Sequence, residues 1–253
     1  MNVKPDLAKL IGRTPMVRLA RFGRGLDAFI AAKLEMFNPY SVKDRPVSYM
    51  IEAAEREGKI NSETTIIEAT SGNTGLALAF ICALKGYRLL ICMSEIQSEE
   101  RRMLLKVFGA QLELTPASEG TAGSKRRALE LRDEIPNSFY IEQHSNPANV
   151  RAHRETTGKE LWEDTDGKID IFVAGLGTTG TARGVAEYIK PKKPSFRVVG
   201  VEPEIAPMIS KGMNAHAARE LARMDENRGK FIVAMFADSG ERYLSVDGLY
   251  KVL

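Results

Sequence analysis

From about residue 28 onward the chain alternates short apolar runs with longer helical patterns, and glycine or a small polar residue stands at most of the junctions. "AFIAAKLE" reads as a strand and "VSYMIEAAEREG" as a helix stopped by Gly58; "TTIIEAT" is the next strand and "NTGLALAFICALKG" a helix ended by Gly86. "RLLICM" then precedes "SEERRMLLKVFG", opened by Ser98 and closed by Gly109, and "QLELT" precedes "SKRRALELRDE". "FYIE", a helix around "ETTGKELWEDT", then "IDIFVAG", "TARGVAEYIK", "RVVGVE", "AARELARM" and "KFIVAMFA" continue the series. Such alternation specifies βαβ units, hence largely parallel sheets covered by helices on both faces. The strands are too many for one small sheet, so the expectation is α/β with two three-layer α/β/α domains. Residues 41–147 would form the smaller one, and 1–40 with 148–253 the larger, the chain crossing near "QHSNPANV".

A chain of 253 residues that is 43% hydrophobic can bury a substantial core. The formal charge of +3 is spread through interspersed acids and bases. It gives none of the concentrated basic surface that nucleic-acid binding requires. "MNVKPDLAKLIGRTP" has no apolar core of signal-peptide length, and no stretch approaches a membrane span, so a cytoplasmic protein is expected. Cys82 and Cys92 each lie inside an apolar run and read as small buried hydrophobes rather than ligands or a disulfide. His144, His153 and His216 are scattered, with neither an HExxH nor a CxxC pattern, so no metal site is expected.

Three stretches carry chemistry. In "NPYSVKDRP" Pro46 is tolerated only in the first turn of a helix, so the helix starts at Asp44 or Arg45 and Lys43 occupies the turn ahead of it. In "TSGNTG", residues 70–75, four polar side chains and two glycines join a strand to a helix that is apolar nearly all round. A helix start there presents unpaired N–H groups and the positive end of the dipole, which favours a carboxylate or phosphate site over a plain turn. In "GLGTTGT" the glycines Gly175, Gly177 and Gly180 form GxGxxG after a strand, and Glu202 follows about 20 residues later, the dinucleotide spacing. The same loop offers enough N–H and hydroxyl donors to surround one phosphate monoester. Two anion cradles and a turn lysine are the set that holds a phosphorylated aldehyde cofactor and an amino-acid carboxylate.

Together with "IGRTPMVRL" and "DSGERYLS", these stretches resemble, in order from about Leu10 to Ser245, the cysteine synthase (O-acetylserine sulfhydrylase) family of tryptophan-synthase-β-like pyridoxal phosphate (PLP) enzymes. "GTTGT" with "TTGKELW" is similar to the B-type members. The resemblance implies that Lys43 forms an imine with the cofactor aldehyde and Asn73 bonds its ring hydroxyl oxygen. It implies that Gly177, Thr178, Thr179, Gly180 and Thr181 hold the phosphate, and that Thr70, Ser71, Thr74 and Gln143 clamp the substrate carboxylate. Glu202 then merely ends a strand, and the dinucleotide reading falls to third place. The implied reaction is β-replacement, a transferase chemistry of cysteine and amino-acid biosynthesis with a lyase-like β-elimination. O-acetyl-L-serine and sulfide would give L-cysteine and acetate through an aminoacrylate intermediate. A homodimer and a serine acetyltransferase partner are implied in the same way. Cystathionine β-synthase and serine or threonine dehydratase are alternatives of the same chemistry.

The pattern departs from the family after "VGVEPE". The segment carrying "GISSGA", whose serine meets the pyridine nitrogen, has no counterpart, and the gap falls near Gly212 and Met213. Either the sequence as read joins the ends of an omitted segment, or the protein is shortened, with Ser239 the nearest candidate for that role. The shortened form leaves open a non-catalytic binding or regulatory homologue.

Overall fold

A computed structural model describes residues 3–201 and 214–238. Glu202, Gly212, Met213 and Ser239 therefore lie outside the described residues. Contacts divide the chain into two compact units, one containing Tyr40–Ala148 and residues 3–9, the other Leu10–Pro39 and residues 149–238.

The first unit has a four-stranded, wholly parallel sheet of β3 (Thr65–Ala69), β4 (Arg88–Ser94), β5 (Gln111–Thr115) and β6 (Ser138–Tyr140), in the order β5-β4-β3-β6. Ile67, Leu90 and Cys92 share one face, where they meet Ala128 and Leu131 of α4 (Gly120–Glu134). The alternate residues Ile66, Leu89, Ile91 and Met93 are just as buried, so the second face is covered as well. There α2 (Asn73–Lys85) packs on β4, flanked by α1 (Asp44–Arg56) and α3 (Glu99–Val107). Burial along α2 runs without a break from Thr74 to Cys82, the outcome foreshadowed by its lack of a polar stripe. Both cysteines are free and buried, and burial pushes each thiol up to about 12.

The second unit has a five-stranded sheet in the order β1-β2-β9-β7-β8. β2 (Phe29–Leu34), β9 (Phe231–Phe236), β7 (Ile171–Gly175) and β8 (Arg197–Val201) run parallel, and β1 (Met16–Arg18) pairs antiparallel with β2. β1 is three residues long and mostly exposed, too short for any alternation to mark it. Ile30, Ile171, Val173, Ile232 and Ala234 form one core face with Ala218, Leu221 and Ala222 of α8 (Asn214–Arg223). α7 (Gly180–Ile189) packs on β8.

A helix that opens as α5 (Pro147–Ala152) and closes as α6 (Lys159–Asp164) widens, in the second unit, into π turns over His153–Gly158. It lies very close to α7: a Cβ added at Gly184 would come within 2.7 Å of the Arg154 nitrogen and of His153 Cβ. Only glycine permits that approach. Among the described residues no helix is long and apolar enough to cross a membrane, and no group of three His, Cys, Asp or Glu is placed to hold a metal.

Candidate active site

In the first unit, α1 begins at Asp44 with Lys43 at its N-cap, as Pro46 requires. Asp44 reaches back to the turn, its Oδ2 accepting the Tyr40 N–H at 2.7 Å and the Ser41 N–H at 3.2 Å, while Ser41 Oγ accepts the Lys43 N–H at 3.1 Å. Both ends of the turn before the lysine are thus fixed. Burial lowers the Lys43 ammonium below its ordinary value, so more of it is unprotonated near neutrality than of a surface lysine.

The turn from β3 into α2 makes no side-chain cap bond at its N-cap, Gly72, whose carbonyl accepts the Gly75 N–H at 3.0 Å. Thr70 anchors the turn: its N–H bonds the Cys92 carbonyl at 3.1 Å and its Oγ1 accepts the Gly72 N–H at 3.3 Å. Thr70, Ser71 and Asn73 are half-buried and Thr74 is buried. Thr74 Oγ1 donates to Gln143 Oε1 at 2.6 Å. That bond joins two segments 69 residues apart into one polar cradle. His144, beside Gln143, has its imidazolium disfavoured by burial first and then by the charges of Lys125 and Lys43, so Lys43 acts electrostatically on the loop that carries Gln143.

A small cavity, about 150 Å³, adjoins Thr70 and Ser71, and Met93, Ser94, Gly120 and Thr121 also line it.

In the second unit the loop between β7 and α7 carries Gly177, Thr178, Thr179, Gly180 and Thr181. Thr179 lies in the left-handed region at φ 62°, a strained conformation for a β-branched residue and one that clusters at ligand-binding turns. Two side chains from the neighbouring helix fix the hydroxyls. Asn149 Nδ2 donates to Thr178 Oγ1 at 3.0 Å, and His153 Nε2 lies 3.2 Å from Thr181 Oγ1 with its Nδ1 2.9 Å from Thr157 Oγ1. The π turns bring His153 and Thr157 to that position. A Cβ added at Gly177 would meet no protein atom within 4 Å, whereas one at Gly180 would run into the Asn149 amide, 2.7 Å from its Cγ.

The sequence reading missed Asn149 and His153. His153 and Thr157 are four residues apart, the spacing of one helical face, but nothing in the sequence says that this face meets the threonine loop.

These features fit a phosphorylated aldehyde. In the second unit the loop has hydroxyls and N–H groups at a helix start with open space over Gly177; the first unit, by itself, has a desolvated amine at Lys43 and hydroxyl and amide side chains at the start of α2.

Residues 7–248 match the pyridoxal-phosphate dependent enzyme family. Cysteine synthase B of Campylobacter jejuni is 47% identical over 84% of this chain and 70% of its own length. The cysteine synthase of Staphylococcus aureus is 48% identical over 84% of this chain and 69% of its own length. Among solved structures, O-acetyl serine sulfhydrylase isoform 3 from Entamoeba histolytica superposes with a TM-score of 0.91 at 34% identity, covering 100% of this chain and 93% of its own. The chain belongs to the cysteine synthase family of pyridoxal-phosphate-dependent enzymes, and its cofactor is pyridoxal 5'-phosphate.

Proposed function

We propose that this protein makes L-cysteine from O-acetyl-L-serine and sulfide by PLP-dependent β-replacement, releasing acetate. The observation that carries the reading is the Thr74–Gln143 bond of 2.6 Å, which joins two separate segments beside a helix N-terminus, where it supports the reading of a substrate-carboxylate site.

When bound, PLP supplies an electron sink for the substrate's α-carbon. Thr178, Thr179 and Thr181, with the N–H groups at the start of α7, hold its phosphate, Asn73 bonds its ring hydroxyl oxygen, and Lys43 tethers its aldehyde carbon. The Lys43 Nζ also takes and returns the α-proton, a task suited to an amine whose pKa is lowered by burial. Thr70, Ser71, Thr74 and Gln143 orient the substrate carboxylate, which fixes the α-hydrogen relative to that base. Gly177 and Gly180 let the loop backbone approach the phosphate.

The relatives' names support sulfide over homocysteine as the acceptor and β-replacement over dehydration. Membership of the family supports a cytoplasmic homodimer that pairs with a serine acetyltransferase. The test is direct: PLP-loaded protein is given O-acetylserine with sulfide, or serine with homocysteine, and the products are identified. Cysteine from the first pair and little cystathionine from the second is the expected result. The reverse, or no change in the cofactor's visible absorbance with O-acetylserine, would refute it.

A further inference from the structure

Glu68 stands on β3 two residues before the 70–75 turn and is only 1% exposed. At this end of the sheet the ladder between β3 and β6 gives way to a side chain. The Ile67 carbonyl accepts the Ile141 N–H at 3.0 Å in the ordinary parallel manner. Beyond it, the Ala69 N–H donates to Glu68 Oε1 at 2.9 Å, and the Ile141 carbonyl accepts the Asn146 side-chain amide at 3.0 Å. The chain turns off at Glu142, in the left-handed region at φ 53°, and brings the Gln143 N–H to Glu68 Oε2 at 3.1 Å. One carboxylate therefore ties both strand ends, one oxygen to each, and Gln143 passes the constraint to α2 through Thr74.

We propose that Glu68 is a positioning residue for the substrate carboxylate, and that protonating it frees one of the two strand ends and loosens the cradle. The proposal rests on the reading of Thr74 and Gln143 as carboxylate-binding groups. An ionised carboxylate only accepts, so both oxygens serve N–H donors well; a protonated one keeps its carbonyl oxygen as a good acceptor and leaves the other as a hydroxyl, a much weaker acceptor for the second N–H. The Glu68 carboxyl is pushed up to about 7: burial raises it most and Glu142 adds to that, while the Gln143 and Ala69 N–H groups and Lys125 on α4 oppose. Cys92 on β4 and Tyr140 on β6 interact with it, but burial holds the thiol up at about 12 and the phenol above its ordinary value, so both stay neutral while Glu68 titrates.

Glu68→Gln presents one acceptor and one donor and so imitates the protonated form at every pH. The experiment measures kcat and KM for O-acetylserine with the PLP-loaded enzyme from about pH 5.5 to about pH 8.5, across the titration. The wild-type KM should rise about tenfold toward acid. Glu68→Gln should carry the raised KM throughout, with kcat within about threefold, the loss that a charge-assisted hydrogen bond implies. Glu68→Asp keeps the charge but is too short to span both N–H groups, and should not restore the KM. A flat wild-type KM, a wild-type acid limb in Glu68→Gln, or rescue by Glu68→Asp would each overturn the proposal while leaving the reaction in place. A wild-type enzyme whose cofactor absorbance ignores O-acetylserine would instead defeat the functional reading. Should Glu68→Gln fail to fold, the Gln143 amide resonance of the unaltered protein decides: a midpoint near 7 supports the proposal and a flat amide overturns it.

Discussion

Substituting alanine at the two loop glycines separates holding the loop from holding the phosphate. At Gly180 the new methyl must displace the Asn149 amide, whose Cγ would be 2.7 Å away and which is itself buried at 4% exposure. Overpacking of that kind costs about 1–3 kcal/mol. Asn149 also carries the bond to Thr178 Oγ1, and losing it adds about 1 kcal/mol. The apo protein should therefore melt roughly 4–16 °C lower, at about 2–4 °C per kcal/mol for a chain of this size. PLP affinity should fall by about tenfold, since each 1.4 kcal/mol or so is a factor of ten. At Gly177 the methyl meets no protein atom within 4 Å, so apo stability should stay within about 0.5 kcal/mol. The methyl nevertheless stands in the space assigned to the phosphate, and PLP affinity should still fall by about tenfold or more. Apo melting curves and PLP titrations of both variants read the two effects separately. Undiminished PLP affinity in Gly177→Ala would refute the assignment of the phosphate to this loop, and an unchanged melting temperature in Gly180→Ala would refute the packing argument.

Other consequences follow from the same geometry. Thr74→Val removes the donor to Gln143, so KM for O-acetylserine should rise about tenfold while PLP affinity, titrated separately, holds. Lys33 is fully buried and serves the Thr14 carbonyl at 2.6 Å, Asp164 at 2.8 Å and Glu160 at 3.0 Å. Lys33→Met leaves those acids without their cation and should cost about 3 kcal/mol in urea unfolding, the lower end for a broken buried pair because Asp164 is 39% exposed. For Glu68 the folded value of about 7 exceeds the ordinary 4.5. Its stabilising contribution is thus complete below about pH 4.5 and lost as pH rises through about 7, up to roughly 3 kcal/mol. Urea midpoints across that window should fall in the wild type and flatten in Glu68→Gln; equal slopes would contradict the assignment.

Local chemistry made much of this legible. Pro46 restricts where α1 can begin and so places Lys43, the absence of a polar stripe on α2 announces its burial, and the glycines and hydroxyls in "TSGNTG" and "GTTGT" mark the turns from which α2 and α7 start. What stayed hidden depends on which segments meet. β1 is too short to show a period, and the sheet orders follow from packing rather than from any one strand. Glu68 reads as a polar interruption in "TTIIEAT", because its partners are backbone N–H groups, one of them 75 residues away. The π turns over 153–158 likewise leave no pattern of their own, although they set His153 against Thr181.

Borohydride reduction of the PLP-loaded protein, followed by peptide mapping, tests the central assignment. The label should sit on the peptide that carries Lys43, and Lys43→Ala should bind PLP without becoming labelled. Stable labelling of another lysine, with Lys43 unmodified, would contradict the account.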